Sequence, residues 1–140
     1  MLQRDKTAPA VVVHGMADVT RACVPGLPLT LLSAQGAAIF AGPGWWLALV
    51  RLARARHGAL ITTDILDCAD APGLTMAALR LGQRSLILDP ATPAFAAVVA
   101  TAASLGAHLH AIRPPALDLA EPNADRRLHD WLHDNRPPLR

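Results

Sequence analysis

Val11-Val12-Val13, preceded by Ala10, is a β-branched run with no polar residue alternating through it. A strand with one wetted face needs that alternation, so the run reads as a strand buried on both faces, the kind found inside parallel sheets. Four further segments repeat its character: 29–32, 61–67, 85–88 and 107–112. Helical stretches separate them, the longer ones about 10–15 residues each, and strands alternating with helices of that length build right-handed βαβ crossovers. The expected fold is therefore α/β, a three-layer α/β/α sandwich around a mainly parallel sheet of about five strands, with helices on both faces.

Glycine and proline mark where each element ends. His14-Gly15 closes the first strand, and a short helix runs to about Cys23, stopped by Pro25-Gly26. Residues 34–42 read either as a loop with a helical turn or as a short hairpin partner of the second strand. Gly42-Pro43-Gly44 opens a helix from Trp45 to about Arg56, since proline in a first turn lacks only an N–H that would have no partner. Asp70 stands where an N-cap is needed, with Pro72 after it, and Leu74, Ala77, Ala78 and Leu81 form one buried face before Gly82. Thr92 caps and Pro93 opens the next helix, which runs to about Leu105. Pro114-Pro115 forces an extended exit from the fifth strand, and a last, more charged helix covers 123–134.

One domain spanning 1–140 is expected, with flexible tails at 1–8 and 136–140. At the level of fold alone it is similar to flavodoxin-like and Rossmann-like domains, an analogy that carries no function.

Composition narrows the classes of function. An apolar fraction of 52% against 17% charged residues is the opposite of a disordered chain. The net charge is +2, supplied almost wholly by arginine because Lys6 is the single lysine. Arg51, Arg54 and Arg56 form the densest basic run, but they fall in a last helical turn, where cations complement the helix dipole. Without a broad basic face or stacking aromatics, no nucleic-acid partner is expected. The uncharged stretches 22–50 and 90–112 are interrupted by proline and glycine and fall short of the roughly 20 clean apolar residues that cross a bilayer. The N-terminus leads into a strand, with no secretory h-region. A cytoplasmic protein without a membrane partner is the expectation.

Ligands of open parallel sheets bind beyond the carboxyl ends of the strands. Here those positions hold His14 after the first strand, Ser33 and Gln35 after the second, Asp67 and Cys68 after the third and Asp89 after the fourth, with His110 and Arg113 near the fifth. His14, Ser33, Gln35, Asp67, Cys68 and Asp89 are the candidate ligand-binding residues. Cys68 just ahead of a helix start could act as a nucleophile with His14 or His110 as base, although Asp67 and Asp70 oppose its ionisation and free cysteine is commonly buried. Asp64, Asp67 and Asp70 could gather a cation, yet Asp70 is needed as a cap and Asp64 lies back in the strand. His129 and His133 stand four apart on the last helix, without the glutamate of a zinc-protease motif.

Two cysteines without CxxC spacing make neither a disulfide framework nor a zinc site, and no dinucleotide, Walker or nucleophile-elbow pattern is present. No cofactor and no metal are expected. Two readings of function follow. The first is a non-catalytic, self-associating module that binds a small molecule or a protein. The second is a small enzyme acting on an anionic metabolite through His14, Asp67 and Asp89. The first is preferred because no spacing in the chain demands catalysis. A homo-oligomer is expected because the helix 93–105 has no charged face and needs cover on more than one side.

Overall fold

The computed structural model describes residues 7–135. The element order is β1 (Ala10–Val12), α1 (Met16–Cys23), β2 (Leu29–Leu32), α2 (Ala37–Phe40), α3 (Pro43–His57), a 3-10 turn (Gly58–Leu60), β3 (Ile61–Asp67), α4 (Pro72–Arg80), β4 (Ser85–Ile87), α5 (Phe95–Ser104), β5 (His108–His110), β6 (Ala116–Asp118) and α6 (Ala124–Asp134). All strands pair in parallel, in the order β5-β4-β3-β2-β1-β6. This is the parallel α/β class that the alternation predicts, with six strands rather than about five. The uncertain stretch 34–42 holds the helical turn α2 and no hairpin strand.

The extra strand is β6. Three residues after a Pro-Pro pair leave almost no periodic signal, and the sheet supplies what the local sequence lacks. Ala116, Leu117 and Asp118 align with Ala10, Val11 and Val12 of β1.

From β1 to β5 each crossover steps to the next neighbour in one direction, and a constant right-handed sense then sets the intervening helices beside the same face, where the alternation alone leads to helices on both. The larger core agrees. Val11, Leu29, Leu31, Leu66, Leu86 and Leu117 from the strands meet Val19, Trp46, Ala53, Leu79, Ala102 and Leu128 from α1, α3, α4, α5 and α6. Strand residues of the opposite parity, Ala10, Val12, Leu32, Ile65 and Ile87, form a second buried cluster of their own.

Curvature accounts for that second cluster. In a flat sheet β5 and β6 would lie five spacings of about 4.8 Å, or about 24 Å, apart. Residues 111–115 join them, and the six steps from His110 to Ala116 reach at most about 22 Å. Part of that reach is spent descending from the carboxyl end of β5 to the amino end of β6. The sheet is therefore curled, its edges drawn together around a concave face. A register shift between Leu29 and Thr30 opposite β3 contributes to the bend. Below Leu66 β3 pairs only with β2, and from Leu66 onward it pairs with β4.

The helix ends differ in detail from the reading by residue type. α4 begins after Ala71 without a side-chain cap, and Asp70 is exposed. α5 begins at Phe95, and the Thr92 hydroxyl, expected to cap it, is buried without a partner. Residues 1–6 and 136–140 of the expected tails lie outside the described residues. Ala8 is buried, its carbonyl accepting from the Thr30 hydroxyl at 2.7 Å. No helix among the described residues is long and apolar enough to cross a membrane.

Candidate functional site

At the carboxyl edge the chain leaves β3 through Asp67 and turns sharply. Ala69 takes a left-handed conformation (φ +50°), one of two such non-glycine residues among those described. Its amide donates to Asp67 Oδ1 at 2.8 Å, an Asx-type turn, and its carbonyl accepts from the Asp89 amide at 2.8 Å. Gly36, itself left-handed at φ +71°, brings its amide to the same oxygen at 3.1 Å. The second carboxylate oxygen accepts from Arg113 Nη1 at 2.7 Å, while Nη2 of that guanidinium donates to the Ser33 carbonyl at 2.8 Å. Ser33 Oγ accepts from the Asp67 amide at 2.9 Å and donates to the Ala34 carbonyl. One buried carboxylate thus ties together the ends of β2 and β3 and the loop that crosses to β6.

Around this knot lies a cavity of about 360 Å³, lined among others by Gln35, Asp67, Asp70, Asp89, Ile87 and Arg113. Three of the six expected residues, Gln35, Asp67 and Asp89, are brought together there. Ser33 is fully buried beneath it and Asp67 is only 2% exposed. Cys68 is also fully buried, and burial pushes its thiol up to about 11, with the Asp67 charge adding to the rise and a Thr75 hydrogen bond opposing it. Both the burial and the raised thiol work against Cys68 as a thiolate nucleophile at neutral pH.

His14 does not line the cavity. Its ring Nε2 lies 2.7 Å from Asp118 Oδ1 at the end of β6. Burial raises the Asp118 carboxyl, but the Ala120 amide and the His14 ring outweigh it and hold it below the ordinary value.

Asp70 and Arg113 complete the setting. Asp70, which follows the third strand and is expected to cap α4, makes no capping bond and lines the cavity. Arg113 could be suspected from its place after the fifth strand, but nothing local pairs it with Asp67. Because Arg113 cancels Asp67, the two exposed carboxylates Asp70 and Asp89 set the charge of the rim. Asp89 Oδ1 accepts the Ala91 amide at 2.9 Å. The exposed charge on that rim is negative. Among the described residues no three histidine, cysteine or carboxylate side chains are grouped to hold a metal. The rings of His129 and His133 stack at 5.9 Å on α6, beside Asp130 and Asp134.

No family model matches this chain, and no curated protein matches it in sequence.

Proposed function

We propose that this domain is a non-catalytic module that self-associates and binds a small polar ligand at its carboxyl edge. The observation that carries the reading is the state of α5. Of its ten residues only Val98 and Ala102 are buried. Its outer surface, with Ala96, Val99, Ala100 and Ala103, is exposed and has no charged side chain. The last helix does not cover it, because Trp131 Nε1 is anchored to the Ala10 carbonyl at 2.9 Å on β1, far along the sheet from α4 and β5, which α5 contacts. An uncharged helix face matches a second copy of itself across a two-fold axis without stranding any charge.

The ligand-binding half of the reading is supported by the acidic rim around Gln35, Asp70 and Asp89. Asp67 is held there by Arg113 and two amides, and His14, outside the cavity, is held by Asp118, so two of the three residues that an enzyme reading would use are in structural bonds. An enzyme for an anionic metabolite draws no support from a rim of that sign.

Light scattering at micromolar concentration tests the self-association. A dimer or larger species is expected, converted to monomer by Val99→Asp combined with Ala100→Asp. A monomeric parent protein would sink the reading.

A further inference from the structure

We propose that a second site, at the opposite, amino edge of the sheet, binds a small molecule bearing a phosphate. The divergence of β3 from β4 below Leu66 opens a cleft of about 1000 Å³ there. Its walls come from α3, from the turn after α4, and from β3, β4 and β5 on the concave side. That is the upper end of the range for small-molecule pockets.

The charge in the cleft is one-sided. Arg51, Arg54 and Arg84 line it against one carboxylate, Asp64, a formal +2 before either histidine protonates. Three donors already engage Asp64. Trp46 Nε1 and Gln83 Nε2 donate to its Oδ2 at 3.0 and 2.8 Å, and Arg54 Nη2 donates to Oδ1 at 3.1 Å. Part of the positive charge is also engaged: Arg54 holds the Ile61 carbonyl, and Arg84 holds those of Leu79 and Gln83 at the end of α4. Arg51 has no hydrogen-bond partner among the described residues, and five donors per guanidinium leave further N–H groups on the other two.

The concave wall adds donors. His108 and His110 alternate along β5, so both rings fall on one face, edge to face with centroids 4.2 Å apart. Ser85 Oγ lies 2.9 Å from His110 Nε2, and His108 is exposed. Guanidinium, imidazole and hydroxyl groups converging on one cleft are the usual recognition set for phosphate, and a +2 balance suits a dianion better than a single carboxylate. Among the described residues no Phe, Tyr or Trp side chain lines the cleft, so they offer no platform for stacked bases, which favours a small molecule over a nucleic acid.

Titrating the full chain with inorganic phosphate, and separately with sodium chloride at matched ionic strength, tests this. NMR signals of His108 and His110 should shift saturably with phosphate and not with chloride. Arg51→Ala, on an exposed helix position, should weaken phosphate about tenfold, the worth of one charge-assisted bond. Arg56→Ala removes the same charge outside the cleft and should leave affinity within about twofold. Equal shifts with both salts, equal losses in both variants, or binding of an RNA oligonucleotide tighter than any phosphate-bearing small molecule would overturn the proposal. None of these outcomes bears on α5 or the carboxyl edge.

Discussion

Arg113 and Asp67, 46 residues apart, meet at 2.7 Å, and the other guanidinium nitrogen holds the Ser33 carbonyl at 2.8 Å. Since Asp67 also accepts two amides, this pair closes the crossing loop onto the curled sheet. Removing the carboxylate strands a part-buried cation and two amides, and Asp67→Ala should cost about 3–5 kcal/mol. Arg113→Ala leaves the carboxylate its two backbone donors and should cost about 1.5–3 kcal/mol. Urea unfolding of both variants and their double mutant checks this. Losses under about 0.5 kcal/mol in both single variants would remove the structural role.

Two neighbouring left-handed residues predict opposite outcomes. Ala69 at φ +50° bears about 1–2 kcal/mol of steric cost that glycine lacks, against about 0.5–1 kcal/mol of added chain entropy. Ala69→Gly should therefore stabilise by about 0.5 kcal/mol. At Gly36 a Cβ would meet Ala69 Cβ at an ordinary 3.7 Å, so space is not the obstacle. Its φ of +71° is, and Gly36→Ala should destabilise by about 1 kcal/mol. Thermal melts of the two variants should move in opposite directions.

Asp118, whose folded carboxyl is held low by the Ala120 amide and His14, stabilises the protein above the unfolded value near pH 4. That contribution is lost as pH falls through the lower folded value, because the unfolded chain binds the proton first. Asp118→Asn should unfold with a shallower dependence on pH below about 4.5 than the parent protein. Equal slopes would show that the carboxyl is not held low.

Cys68, fully buried with its thiol near 11, should resist iodoacetamide at about pH 8 in the folded protein and react once denatured. Cys23, also buried and raised by burial, should behave alike. Peptide mass mapping before and after denaturation distinguishes the two states. Rapid labelling of folded Cys68 would return it to candidacy as a nucleophile.

The five main strands and the longer helices were legible in the sequence because their signals are local. A β-branched run such as Val11-Val12-Val13 marks a buried strand through its own residues, and Gly58 or Gly82 ends a helix through its own backbone. Asp67, Gln35 and Asp89 could be placed at the carboxyl edge for the same reason, since Asp67 ends a strand and the other two follow one. What the tertiary structure decided is everything that depends on distant partners. β6 exists because β1 offers it an edge, and the sheet curls because residues 111–115 must span from β5 to β6. Asp70 faces the rim while α4 starts uncapped, and His14 turns to Asp118, 104 residues away. His108 and His110 share a face with Ser85 only once β5 has paired with β4. Hydrophobic period and turn chemistry act over a few residues, whereas pairing, curvature and charge neutralisation act between segments whose proximity no short window of sequence encodes.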